Sequence, residues 1–112
     1  MAIQVVSDFY GCDSEILDDE KRICSIAKEA IEQVGAEIVE ECVHKFSPIG
    51  ITYFAVISTS HFSIHTWPEY GYAAVDVFSC SDFVVEELTA LLQKAFKADR
   101  VETQKLNRKV GR

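Results

Sequence analysis

Residues 56–80, VISTSHFSIHTWPEYGYAAVDVFSC, constrain this chain more than any other part of it. They read as two strands, 60–67 and 72–79, separated only by Pro68-Glu69-Tyr70-Gly71. So short a turn makes the two strands neighbours in an antiparallel hairpin. Side chains alternate along a strand, so His61, Ser63, His65 and Trp67 share one face, and Ser60, Phe62, Ile64 and Thr66 the other. If Trp67 pairs with Tyr72, Cys80 falls opposite Thr59 on the face of the histidines; a slip of one residue reverses this. The stretch holds two of the three histidines, the only tryptophan and one of the four cysteines, a concentration of reactive groups that packing does not need.

The rest of the chain supplies elements around this hairpin. Residues 3–10 are β-branched and aromatic and read as a first strand. Asp13 and Ser14 can cap a helix whose first turns carry Glu15, Asp18, Asp19 and Glu20, where the helix dipole favours acidic groups. Ile16, Ile23, Ala27, Ala30, Ile31 and Val34 follow a helical period, and Gly35 ends it. Residues 36–46 and 51–58 read as two more strands joined by the turn Ser47-Pro48-Ile49-Gly50. After the hairpin, Ser79 or Ser81 caps a second helix with an apolar stripe of Val84, Val85, Leu88, Leu91, Leu92 and Ala95. Residues 100–104 form a last short strand, and the basic tail 105–112 frays.

The order β-α-β-β-β-β-α-β predicts an α+β fold, a two-layer α/β sandwich with a mainly antiparallel sheet and two helices on one face. The 112 residues make one domain, 1–112. A chain of this size has little room for a ligand cleft of its own, and the other sheet face is left open. Such a face usually meets a partner, so a homodimer is expected, sheet against sheet or edge against edge.

Composition narrows the function. The net charge of −7 excludes a phosphate-binding surface, and with it nucleic acid as a partner. No apolar run approaches the roughly 18 residues that span a membrane. The start of the chain lacks the basic and apolar regions of a signal peptide, so the expected location is cytoplasmic. Cys12, Cys24, Cys42 and Cys80 stand singly, without zinc-site spacing, and read as thiols; Cys24 and Cys42 read as small buried hydrophobes.

Several chemistries suit the hairpin. His61 and His65, two repeats apart on a strand, reach one metal ion poorly, and no acidic residue accompanies them. A serine or cysteine nucleophile with a histidine base has its residue types here, but no GxSxG elbow. On residue types alone, hydrogen-bonded polar side chains in a sheet account for the stretch as well.

A longer pattern points further. The run Ser60-His61-Phe62-Ser63-Ile64-His65-Thr66-Trp67-Pro68-Glu69-Tyr70-Gly71-Tyr72-Ala73-Ala74-Val75-Asp76 closely resembles the signature of the prokaryotic S-adenosylmethionine decarboxylases. Asp8-Phe9-Tyr10-Gly11-Cys12-Asp13, His44-Lys45-Phe46, Pro48 and Gly50 are similar to other parts of that family, so the resemblance covers essentially the whole chain.

The resemblance implies a self-made pyruvoyl cofactor. Ser60 attacks the carbonyl of Thr59, the peptide becomes an ester, and elimination and hydrolysis split the chain into a β chain, 1–59, and an α chain, 60–112, headed by the pyruvoyl group. That ketone forms a Schiff base with the amine of S-adenosylmethionine and draws electrons as carbon dioxide leaves, giving the aminopropyl donor of spermidine biosynthesis. By the same resemblance His65 transfers a proton during processing, and Cys80 is the thiol that protonates the substrate carbon. Glu69 holds the ribose hydroxyls, Phe46 stacks on adenine, and Phe62 and Trp67 line the pocket.

Two positions depart from the family pattern. Thr59 stands where glutamate is typical, and Thr52 stands where a serine that helps processing is frequent. The change at Thr59 keeps two further readings open: a pyruvoyl-dependent decarboxylase of ornithine or arginine, and an unprocessed homologue that acts as a binding or regulatory subunit.

Overall fold

In a computed structural model of the chain, which describes residues 2–58 and 60–111, the hairpin forms the middle of one antiparallel sheet. The strands are β1 (Ala2–Tyr10), β2 (Ile38–Lys45), β3 (Ile51–Ile57), β4 (His61–Trp67), β5 (Tyr72–Ser79) and β6 (Arg100–Arg108), in the order β2-β3-β4-β5-β1-β6. A single 3₁₀ turn, Pro68–Tyr70, joins β4 to β5, and Trp67 does pair with Tyr72. The chain ends in β6 at one edge while β1 is inserted between β5 and β6, so the first and second halves of the sequence interlock within the sheet.

The helices α1 (Ser14–Leu17), α2 (Glu20–Val34) and α3 (Val85–Phe96) cover one face. The core lies between them and the sheet. Ile23, Ala27, Ala30, Ile31 and Val34 of α2 and Leu88, Leu92 and Phe96 of α3 meet Phe9, Tyr53, Phe62, Ile64, Val75 and Val77. All of these side chains are buried. Alternation sends the remaining strand residues to the other face, which no element among the described residues covers.

The structure departs from the sequence expectation in three places. In place of one helix from Asp13 to Gly35, the chain breaks at Asp18 and starts again. Asp13 caps α1 by accepting from Glu15 and Ile16 N–H, and Asp19 caps α2 by accepting from Arg22 N–H. Aspartates compete with helical bonding in this way, so three helices form rather than two. Neither Ser79 nor Ser81 caps α3. Val84 occupies the cap position, half exposed and outside the apolar stripe, with no side-chain cap. Ser81 Oγ instead donates to Val34 O at 3.1 Å and lies 2.7 Å from Ser79 Oγ, which fastens the connection to the end of α2. Finally, Lys105–Arg108 does not fray. It continues β6 along β1 as far as the pair Ala2–Arg108. The strand is polar because it is an edge strand, and charge there discourages further strand pairing.

Candidate functional site

The open face carries a cavity of about 340 Å³ where β3, β4, the loop at 46–50 and the 3₁₀ turn meet. That volume lies in the range of small-molecule sites. Phe46, Thr52, His65, Trp67 and Glu69 all line it, together with Ile49, Gly50 and Thr66. Five residues named from the sequence, spread over 24 positions of chain, are thus brought to one place. The lining combines an apolar aromatic wall with one carboxylate and one imidazole.

Each wall has a local cause. Thr52 and His65 are direct partners in the β3–β4 register, and Thr52 Oγ1 lies 3.2 Å from His65 Nδ1. A hydroxyl can serve either ring tautomer, so this contact orients the imidazole in the cavity wall. Phe46 projects from the end of β2, its ring edge-on to His44 at 4.5 Å, and its N–H donates to Gly50 O at 2.8 Å, closing the loop. Trp67 packs against Tyr72 at 5.3 Å, and the Tyr72 hydroxyl donates to Asp8 at 2.5 Å. Burial, then that bond to a carboxylate, pushes the Tyr72 phenol well above its ordinary value, so it stays a neutral donor.

Glu69 rides on the 3₁₀ turn, and the turn is pinned from behind. Cys12 N–H donates to Gly71 O at 2.9 Å, while Gly71 itself takes a left-handed φ of 60°. A β-carbon there would stand 3.2 Å from Cys12 O. Gly71→Ala therefore costs about 1–2 kcal/mol in urea unfolding from backbone strain alone. It also shifts the turn that presents Glu69, so ligand affinity should fall with stability; an unchanged unfolding midpoint would refute the strain. Behind the turn, burial first and the Asp99 charge second push the Cys12 thiol up to about 11. Its Sγ donates to Phe9 O at 3.6 Å, so Cys12 is a structural thiol.

Ser60 and Cys80 lie elsewhere. Ile57 and Ser60 exchange backbone hydrogen bonds of 3.1 and 3.2 Å that close the β3–β4 hairpin. Cys80 follows β5 and is exposed, two residues past Phe78, the partner of His61. The two groups therefore share the hairpin end. From there to His65 is five residues along β4, about 17 Å. One chain does not place His65 beside Ser60. The imidazole at the Ser60 end is His61, which lies between the rings of Phe54 (5.5 Å, stacked) and Phe78 (5.9 Å). Thr59 lies outside the described residues.

Phe62 is not pocket lining. It alternates to the helix-covered face, fully buried, with its ring 6.4 Å from Tyr53. Cys42 is exposed on edge strand β2 rather than buried, and Cys24 is half-buried. Ile49, Gly50 and Thr66 escaped the sequence reading because a turn residue, a glycine and a strand threonine carry no chemical signal of their own.

The chain is thus an antiparallel α+β sandwich with an aromatic-walled cavity on its open face, and a serine and a thiol at the far end of the same hairpin. Residues 3–109 match the family described as S-adenosylmethionine decarboxylase. The chain is 48% identical over 107 residues to the S-adenosylmethionine decarboxylase proenzyme of Moorella thermoacetica, covering 95% of this chain and 86% of that one. It is 46% identical over 107 residues to the proenzyme of the same name from Carboxydothermus hydrogenoformans, covering 95% and 84%. The crystal structure of the adenosylmethionine decarboxylase from Aquifex aeolicus superposes with a TM-score of 0.88 at 26% identity, over 100% of this chain and 93% of that one. The chain belongs to the S-adenosylmethionine decarboxylase family.

Proposed function

We propose that this chain is a self-cleaving proenzyme that decarboxylates S-adenosylmethionine. The observation that carries this reading is the convergence of Phe46, Thr52, His65, Trp67 and Glu69 on one cavity. Aromatic faces suit both a flat purine and a sulfonium charge, and a carboxylate can accept from two adjacent ribose hydroxyls. No observation favours ornithine or arginine, which would leave the aromatic wall unused.

Ser60 fits the cofactor role. It stands at a hairpin mouth, where a cut removes no strand from the sheet. Fragment 1–59 would keep β1, β2 and β3, and fragment 60–112 would keep β4, β5 and β6. With β1 inserted between β5 and β6, the two stay locked together. A pyruvoyl group made from Ser60 would supply the electron-withdrawing carbonyl for loss of carbon dioxide. Cys80, at the same hairpin end, would donate the proton that replaces it.

A homodimer would bridge the separation of His65 from Ser60. Two copies facing each other through their open sheet faces, related by a two-fold axis, can bring the Ser60 end of one hairpin over the His65 cavity of the other. Phe54 and Val56, each 43% exposed on that face, supply apolar area for the contact. The substrate would then be enclosed by both copies, Glu69, Phe46 and His65 from one and Ser60 and Cys80 from the other. We place the enzyme in the cytoplasm, where its four cysteines would persist as thiols.

Mass spectrometry of the purified protein tests the reading directly. Denaturing conditions should show two fragments divided at 59/60, and native conditions one assembly containing both. Carbon dioxide should then be released from carboxyl-labelled S-adenosylmethionine and not from labelled ornithine or arginine. A single uncut chain would make it a non-catalytic homologue, and release from either amino acid alone would replace the substrate.

A further inference from the structure

The break between α1 and α2 puts two consecutive residues, Leu17 and Asp18, directly behind the cavity. The Asp18 carboxylate reaches the loop at 46–50. Its Oδ1 accepts from Gly50 N–H at 2.9 Å and from Lys45 Nζ at 2.7 Å. Those two donors flank the loop that Phe46 N–H closes on Gly50 O. One carboxylate thus holds both ends of the loop that presents the aromatic wall. The neighbouring Leu17 O accepts from Thr66 Oγ1 at 2.9 Å, and the same hydroxyl accepts from Ile51 N–H at 2.9 Å. Leu17 therefore fixes β3 and β4, the opposite wall. The Gly50 N–H, then Lys45, hold the Asp18 carboxyl below its ordinary value, so it is ionised whenever the protein is folded near neutrality.

We propose that Asp18 is a positioning residue for the adenine end of the substrate, setting the place of the Phe46 ring through the loop at 46–50. The assignment of adenine to Phe46 rests on the decarboxylase reading above; the control of the loop by Asp18 does not. The Lys45 pair adds little stability of its own, which leaves the Gly50 bond as the main constraint on the loop. Asp18 and Lys45 keep 29% and 35% of their side-chain surface exposed, and ion pairs of that kind contribute little to folding. What the two bonds do is fix both ends of the loop at 46–50.

The test uses Asp18→Ala and Asp18→Asn in the full chain. Alanine removes both bonds. Asparagine retains an oxygen for Gly50 N–H and loses only the charge opposite Lys45. Asp18→Ala should raise KM for S-adenosylmethionine roughly tenfold, the effect of losing the charge-assisted bond to Gly50 N–H, with the exposed Lys45 pair adding little. Self-cleavage and kcat should stay within about twofold of wild type, and Asp18→Asn should recover most of the loss. A merely structural role would lower kcat, cleavage and melting temperature together, and that pattern would overturn the proposal.

A second readout does not need activity. Trp67 is the only tryptophan and lines the cavity, so its fluorescence reports on the wall. In Asp18→Ala, acrylamide should quench Trp67 more strongly, and methylthioadenosine should bind about tenfold more weakly to uncut Ser60→Ala protein carrying the change. Quenching that rises in a chain without decarboxylase activity keeps the positioning role and removes the substrate assignment. Unchanged quenching and unchanged nucleoside binding remove the positioning role, whatever the activity.

Discussion

Co-expression of Ser60→Ala and His65→Ala chains is expected to restore activity that neither has alone. Each variant by itself should be uncut or cut at a small fraction of the normal rate. Ser60→Ala lacks the attacking hydroxyl, and His65→Ala lacks the proton carrier, whose loss costs on the order of 100-fold or more. Within one chain, His65 stands about 17 Å along β4 from Ser60, so no side-chain movement lets it serve that residue. Across a two-fold interface the pairing is crossed. In a mixed dimer, one site receives Ser60 from the His65→Ala chain and His65 from the Ser60→Ala chain, and is complete. The other site receives neither. Random pairing makes half the dimers mixed, each with one working site, so roughly a quarter of wild-type activity should return. If the two chains differ in mass, only the His65→Ala chain should be cut. Rescue that is absent, or cleavage of His65→Ala alone at the normal rate, would show that the site is built within one chain or without His65.

The hairpin was legible because two local signals agree there. The four-residue gap between Trp67 and Tyr72 sets the pairing, and the alternation of small apolar and polar groups sets the faces. The core followed as directly, since Ile23, Ala27, Ala30, Ile31 and Val34 repeat at helical spacing and all are buried. What failed was each place where a side chain answers a distant backbone rather than its own period. Asp18 looked like a favourable charge at a helix start, but Gly50, 32 residues away, draws it out of the helix. Ser81 had the chemistry of a cap, but Val34 O takes its hydroxyl. β6 shows almost no apolar alternation, because Val101 alone of its nine residues packs against the core while Thr103, Lys105 and Asn107 hold the same face. No window of sequence contains those partners.

The site divides along the same line. Thr52 and His65 were named separately, and their contact follows only from the β3–β4 register. Phe62 sits between two pocket-face histidines in sequence, yet alternation alone suffices to send it to the core, opposite His65 and Trp67. The distance between the Ser60 end and the cavity was also contained in the strand length. It carries weight only once β4 is known to run straight through the sheet, with His61 and His65 paired to Val56 and Thr52. A functional constellation drawn from adjacent sequence positions can therefore be too far apart to meet within one copy.

Removing the Cys80 thiol should separate cleavage from decarboxylation. Cys80 shares the hairpin end with Ser60, one residue beyond β5, and it is exposed, so Cys80→Ala removes no core packing. Chain cleavage should proceed, because the attack of Ser60 Oγ on the preceding carbonyl requires no proton from Cys80. Decarboxylation leaves a carbanionic carbon that must receive a proton before product can leave. With the thiol gone that proton comes from water, and the loss of a placed acid costs about 100-fold to 10,000-fold. The loss should fall on kcat, with KM for S-adenosylmethionine little changed, since Glu69, Phe46 and Trp67 still form the cavity. Cys80→Ser, whose hydroxyl is the weaker acid, should recover only part of the rate. Fully cleaved Cys80→Ala with wild-type kcat would take Cys80 out of the chemistry. Uncut Cys80→Ala would move its role from the substrate to the processing of Ser60.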